Sequence, residues 1–174
     1  QRQMCIRDRD YLMFALQTLS DDLATVSYRS VGKQLAPLIV RTRGHRLEGM
    51  WHAGSPMGMI LNSLKGMLVL TPRNMVQASG MYNTLMACTE PALIVEPLNA
   101  YRLKEKEPLN LGEFTVPLGK IEIINPGTDI TVVSYGSTLK LVEKTIPELQ
   151  RNNINIELIA VSYTHLTLPT IFRV

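Results

Sequence analysis

The chain has 174 residues, of which 45% are apolar, 6% aromatic and 19% charged, with a formal charge of +3. That length and apolarity suffice to bury a core, in one domain or one and a half, and no apolar run approaches the ~20 residues needed to cross a bilayer. The positive excess sits in Arg2, Arg7, Arg9 and Arg173 against Asp8, leaving 14 positive and 14 negative residues between Asp10 and Ala160; a neutral body with three Phe and one Trp offers neither the basic stripe nor the stacking platform of a nucleic-acid binder.

The two cysteines, Cys5 and Cys88, have no Cys-x-x-Cys spacing and no histidine at ligand distance in sequence, which points to a reducing compartment without zinc. The N-terminus carries charge but no apolar core of a secretory signal, so the reading is a cytoplasmic, globular protein with no membrane span. Residues 1–9 (QRQMCIRDR) and 161–174 (VSYTHLTLPTIFRV) share no pattern with the text between them. Both resemble translated sequencing-adapter read-through and are set aside from the fold, together with Cys5 and His165.

From Tyr11 to Val26, Leu12, Ala15, Leu16, Leu19, Leu23 and Val26 recur at the spacing of one helix face. Pro37–Arg41 is a continuous apolar run suited to a strand buried on both faces, and a glycine-rich loop follows it. Ser55-Pro56 reads as a helix cap with proline at the first helical position, opening a helix to about Leu64. Met67–Thr71 is the next strand, Thr71-Pro72 repeats the cap signature, and Val76, Gly80, Met81, Leu85 and Cys88 give the following helix a buried face. Ala92–Glu96 closes a strand and helix alternation that specifies a parallel α/β sheet.

Residues 100–127, with Lys104-Glu-Lys-Glu107 and several prolines, read as a connection between domains. Residues 128–160 then begin a second α/β domain: a strand at Ile130–Ser134, a helix from about Ser137 to Arg151 and a strand at Ile154–Leu158. Leu139, Val142, Ile146 and Leu149 mark the helix's buried side, and Pro147 should kink it or end its first half, at about 3 kcal/mol if interior.

Ligands of open parallel sheets bind beyond the carboxyl ends of the strands, which selects the loop after Arg41. It holds Gly44, Gly49 and Gly54, where backbone can approach a ligand, and two histidines, of which His52 stands just before a helix start among small residues. His52 suits proton transfer or a simple bond to a loop carbonyl equally, while His45 suits the structural role better. Arg41, Arg43 and Arg46 suit phosphate binding, solvation or ion pairing. No Gly-x-x-x-x-Gly-Lys loop, Gly-x-Gly-x-x-Gly, His-Glu-x-x-His or Gly-x-Ser-x-Gly is present.

Five segments occur in order: Pro37–Gly44 (PLIVRTRG), Trp51–Pro56 (WHAGSP), Val95-Glu-Pro97 with Tyr101-Arg102, Val116–Lys120 (VPLGK) and Asp129–Gly136 (DITVVSYG). Together they resemble the beta subunit of the decarboxylating component of 2-oxo acid dehydrogenase complexes, closest to the branched-chain 2-oxo acid and pyruvate enzymes, over about residues 10–159. The resemblance implies a partial thiamine diphosphate-binding pyrimidine domain of the transketolase type at 10–99 and the start of a transketolase C-terminal-like domain at 128–160. It implies oxidative decarboxylation of a 2-oxo acid, as in branched-chain amino acid catabolism, with acyl transfer to lipoamide and with thiamine diphosphate as cofactor.

By the same resemblance His52 matches the family's active-site histidine in its His-x-x-Ser-Pro segment, and Tyr11 matches an aromatic that packs on the aminopyrimidine ring. The implied partners are an alpha subunit or fused alpha domain, which would hold Mg2+ and the diphosphate, and a lipoyl-bearing acyltransferase, in a heterotetramer or a homodimer of fused chains. The family's activating glutamate would lie upstream, and the match ends after Ile159, so the chain reads as an inactive fragment. A family cation site near Ala36–Ile39 and Leu85–Glu90 is not clearly kept by Cys88 and Glu90, and no metal is assigned. An acetoin dehydrogenase, a transketolase-type synthase and a non-catalytic assembly module stand as alternatives.

Overall fold

The computed structural model describes residues 2–6, 9–44 and 57–163, with side chains from Leu12 onward. The apolar run after Pro37 forms β2 (Leu38–Gly44), and β3 (Leu68–Leu70) and β4 (Ala92–Pro97) follow as expected. All pair in parallel in the order β2-β4-β3. Arg2–Ile6, set aside in the sequence, runs as strand β1 in parallel beside β2, with Arg2 opposite Leu38 and Ile6 opposite Thr42. Every residue of β4 is buried because strands flank it on both sides and helices cover both faces.

The single helix expected from Tyr11 to Val26 is instead α1 (Arg9–Gln17), a widened π turn (Thr18–Leu23) and α2 (Val26–Arg29). Local side chains explain the break. Ser20 Oγ donates to the Gln17 carbonyl at 3.1 Å and Thr25 Oγ1 donates to the Asp21 carbonyl, so both compete with the regular ladder. The apolar face survives the change: Leu12, Leu19 and Ala24 are buried with Val40, Leu93 and Val95 of the sheet and with Ile60 of α3 (Met57–Ser63). The expected cap at Ser55-Pro56 lies outside the described residues.

The opposite face is covered by α4 (Met75–Met86), whose Met81 and Leu85 pack on Ile39, Leu70 and Ile94. This helix does not begin at Thr71-Pro72 as the cap signature suggested. Asn74 caps it, its side chain accepting from the Gln77 N–H at 2.7 Å, and Glu105 accepts from the Met75 and Val76 N–H groups at 3.0 and 3.2 Å. A carboxylate 30 residues away thus serves the orphan donors of the first turn, a partner no local motif announces.

The stretch read as a connection carries structure of its own: a 3-10 segment (Leu98–Arg102) and strand β5 (Glu122–Asn125). Residues 114–116 lie along α4, where Asn83 Nδ2 donates to the Phe114 carbonyl at 2.8 Å and Val116 N–H to the Gly80 carbonyl at 3.2 Å. The approach is close enough that a Cβ on Gly80 would meet the Phe114 ring and, at 2.7 Å, Val116 Cγ2.

The second sheet has the order β5-β7-β6, with β6 (Ile130–Ser134) and β7 (Ile156–Ala160) parallel, joined through α5 (Ser137–Arg151), and β5 antiparallel to β7. It is therefore mixed and begins before residue 128. Leu139, Leu158 and Ala160 form its core, with Val142 and Ile146 against it. On the other face Ile123, 56% exposed, and Val133, 61% exposed, flank Ile159 in register. The two sheets meet where Thr71 N–H donates to the Ser162 carbonyl at 2.8 Å and Leu70 bridges Tyr163.

Pro147 neither ends α5 nor halves it; the helix runs through to Arg151. The proline is exposed, so the carbonyl it leaves without a partner can turn to water while Leu139, Val142 and Ile146 hold the buried side. Since the ring is exposed, Pro147→Ala should stabilise the chain by roughly 1–3 kcal/mol, read as a raised urea midpoint at unchanged slope.

Candidate functional site

Parallel pairing brings the carboxyl ends of β2 and β4 to one edge, with Arg43 opposite Glu96 and Gly44 opposite Pro97. This is the edge at which open α/β sheets take ligands. Its fixed point is Glu96, a carboxylate only 1% exposed. Arg41 Nη2 donates to its Oε2 at 3.0 Å, Tyr82 of α4 donates its hydroxyl to Oε1 at 2.6 Å, and Tyr101 of the 3-10 segment donates to Oε2. The Arg41 guanidinium also lies over the Tyr82 ring, 5.8 Å from its centroid, and a cavity of about 230 Å³ opens between them and the first turns of α4, at Ser79.

Three of these four residues, Arg41, Glu96 and Tyr101, belong to segments of the motif set, which the fold brings together in one cluster. Tyr82 was not anticipated. It sits one position from the buried Met81, at the border of the helix's apolar face, where composition does not separate a packing tyrosine from a hydrogen-bonding one. Burial, then the hydrogen bond to Glu96, pushes the Tyr82 phenol well above its ordinary value, and the same causes in the same order raise Tyr101.

The other expected site residues divide. His52, His45, Arg46, Gly49 and Gly54 lie outside the described residues; the structure fixes only the ends of their loop, Gly44 closing β2 and Met57 opening α3. Arg43 is half-buried on β2. Tyr11 lies on α1, one turn before Phe14. Leu12 turns wholly into the core, whereas Phe14 is 87% exposed. Among the described residues no group of three or more His, Cys, Asp or Glu could hold a metal ion, and Cys88 is a free thiol.

A larger cavity, about 400 Å³, lies in the seam between the sheets, walled by Met81, Val116 and Ile121 and closed by Arg73 and Glu122. Arg73 engages Glu122 through Nε at 3.2 Å and Nη2 at 2.8 Å, and Gln77 Nε2 donates to the same carboxylate at 3.1 Å.

Comparison with solved structures places the fold in the transketolase class. A split-gene transketolase, described as an inactive beta4 tetramer, superposes with a TM-score of 0.68 at 12% identity over 92% of this chain and 48% of its own. A transketolase mutant from Pichia stipitis gives 0.58 at 14% identity over 85% of this chain and 22% of its own. Residues 119–166 match the family described as Transketolase, C-terminal domain, a span that takes in β5 as well as β6 to β7.

Curated relatives sharpen the class. The chain is 29% identical over 138 residues to the pyruvate dehydrogenase E1 component subunit beta of Acholeplasma laidlawii, covering 78% of this chain and 42% of that one. It is 30% identical over 161 residues to the mitochondrial 2-oxoisovalerate dehydrogenase subunit beta of Chaetomium thermophilum, covering 88% and 34%. The 2-oxoisovalerate dehydrogenase subunit beta of Bacillus subtilis is 24% identical over 86% of this chain and 46% of its own. The chain is thus a homologue of these beta subunits over most of its length, as the ordered motifs led one to expect, and it spans a third to a half of their length.

The raised tyrosines give the cluster a signature. Unfolded, both phenols ionise near pH 10; folded, they hold their protons to higher pH, so the folded chain binds more protons above that point. Their contribution to stability is complete below about pH 10 and is lost as pH rises toward the raised values. In a spectrophotometric titration two of the six tyrosines should therefore resist ionisation until the chain unfolds, and Glu96→Ala should move both toward the ordinary range.

Proposed function

We propose that the chain is part of the beta subunit of a 2-oxo acid dehydrogenase, acting on pyruvate or a branched-chain 2-oxo acid and serving acyl transfer to a lipoyl group. The observation that supports this most is the homology to beta subunits of both enzymes across 78% and 88% of this chain. On this reading residues 10–99 are part of the pyrimidine-binding domain, 100–127 the connection, whose last residues already supply β5 to the second sheet, and 128–160 the start of the C-terminal domain.

The cofactor on this reading is thiamine diphosphate, whose chemistry when bound is a nucleophilic carbon for addition to the 2-oxo carbonyl. Tyr11 of α1 would pack on the aminopyrimidine ring. His52 would reach the reacting carbonyl from the loop between Gly44 and Met57 and move a proton during transfer to the lipoyl sulfur. Mg2+ and the diphosphate fall to an alpha subunit or fused alpha domain, so the chain alone is inactive. Among the described residues no helix is long and apolar enough to cross a membrane, and the proposed compartment is the cytoplasm.

The test uses the complete complex carrying His52→Ala. Lipoyl acylation should fall roughly 10²- to 10⁴-fold while decarboxylation with an artificial electron acceptor falls less. Unchanged lipoyl acylation would favour a non-catalytic assembly module, and acetoin cleaved faster than any 2-oxo acid would move the assignment to an acetoin enzyme.

A further inference from the structure

Arg43 stands apart from the other basic residues of the edge. Arg41, two positions earlier on the same face of β2, is paired with Glu96. Glu96 lies directly across from Arg43 in the sheet register, yet its carboxylate is already taken by Arg41, Tyr82 and Tyr101. Among the described residues the Arg43 side chain has no ion pair and no hydrogen-bond partner, and its Nε is buried from solvent. An arginine cannot shed its charge to escape this position, so a buried guanidinium N–H without an acceptor among the described residues calls for one beyond them. Arg102, at the end of the segment that leaves β4, adds charge of the same sign at this edge.

We propose that Arg43 forms an anion subsite at the carboxyl edge of the first sheet, binding a small oxyanion, carboxylate or phosphate, through its guanidinium fork. The planar fork matches either oxyanion with two parallel hydrogen bonds, and among the described residues the Arg41–Glu96 pair beside it leaves no carboxylate for Arg43. The proposal does not depend on the assignment to a 2-oxo acid dehydrogenase.

The experiment measures the thermal midpoint of the full chain against inorganic phosphate and, separately, pyruvate, with sodium chloride at matched ionic strength as the reference and calorimetric titration as a direct readout. The expected result is a saturable rise with at least one anion beyond the chloride response. Phosphate alone identifies a phosphate-type ligand, pyruvate alone a carboxylate, and both a general small oxyanion. In Arg43→Gln the apparent affinity should weaken roughly ten- to a hundredfold, whereas Arg29→Gln, at an exposed ion pair, should leave it unchanged. Should Arg43→Gln fail to fold, Arg43→Lys keeps the charge without the fork and should still bind several-fold more weakly. Absence of any saturable response, or saturation that survives substitution of Arg43, overturns the proposal.

Discussion

A carboxylate held at the end of a central strand, away from water, ties together four elements that are distant in sequence. Glu96 draws in Arg41 from β2, Tyr82 from α4 and Tyr101 from the segment that leaves β4. Each partner matters, because a buried carboxylate that loses its donors costs several kcal/mol in uncompensated desolvation. The cluster therefore makes the positions of the second strand, the covering helix and the exit from β4 mutually dependent. That dependence sets the edge at which β2 ends, before the segment that holds His52, and among the described residues it leaves Arg43 with no carboxylate of its own.

The join between the two sheets follows a similar logic at lower burial. Arg73 forks onto Glu122, Gln77 adds a third bond, and the Thr71 N–H reaches the Ser162 carbonyl. Arg73 and Glu122 keep 28% and 44% of their side chains exposed, so water screens them, and their contribution is directional rather than large. The apolar contacts of Val116 and Leu118 with the α4 side of the first sheet carry more of the adhesion. The bonds fix the angle at which those surfaces meet.

The parts of the fold legible in the sequence are those in which one chain segment carries its own signal. The apolar runs at Leu38–Val40, Leu68–Leu70 and Ala92–Val95 become parallel strands, and Leu139, Val142 and Ile146 face the second core as their spacing implies. Signals that depend on distant partners failed. Thr71-Pro72 carries a stronger cap signature than Asn74, but the Glu105 carboxylate reaches Met75 and Val76 from 30 and 29 residues away and decides the start of α4. The period of residues 11–26 is helical throughout, yet Ser20 and Thr25 bond backward to carbonyls and open the ladder. Strand β5 has too little alternation to announce itself and exists because β7 offers an edge. At the site, the motif order named Arg41, Glu96 and Tyr101 without saying that they touch, and Tyr82 had no signal at all.

The pairing of β2 with β4 also bears on how the chain acquires this structure. Arg41 and Glu96 are 55 residues apart, and β3, made between them, takes the far side of β4. At ribosomal speeds of about 5–20 residues per second, β2 waits roughly 3–10 s before its central neighbour has been synthesised. During that interval its apolar face and Arg41 have no native partner on that side, and closing so long a loop slows the step further. The sheet should consequently assemble late and as one cooperative event, with nascent chains shorter than Pro97 more dependent on chaperones than the finished product.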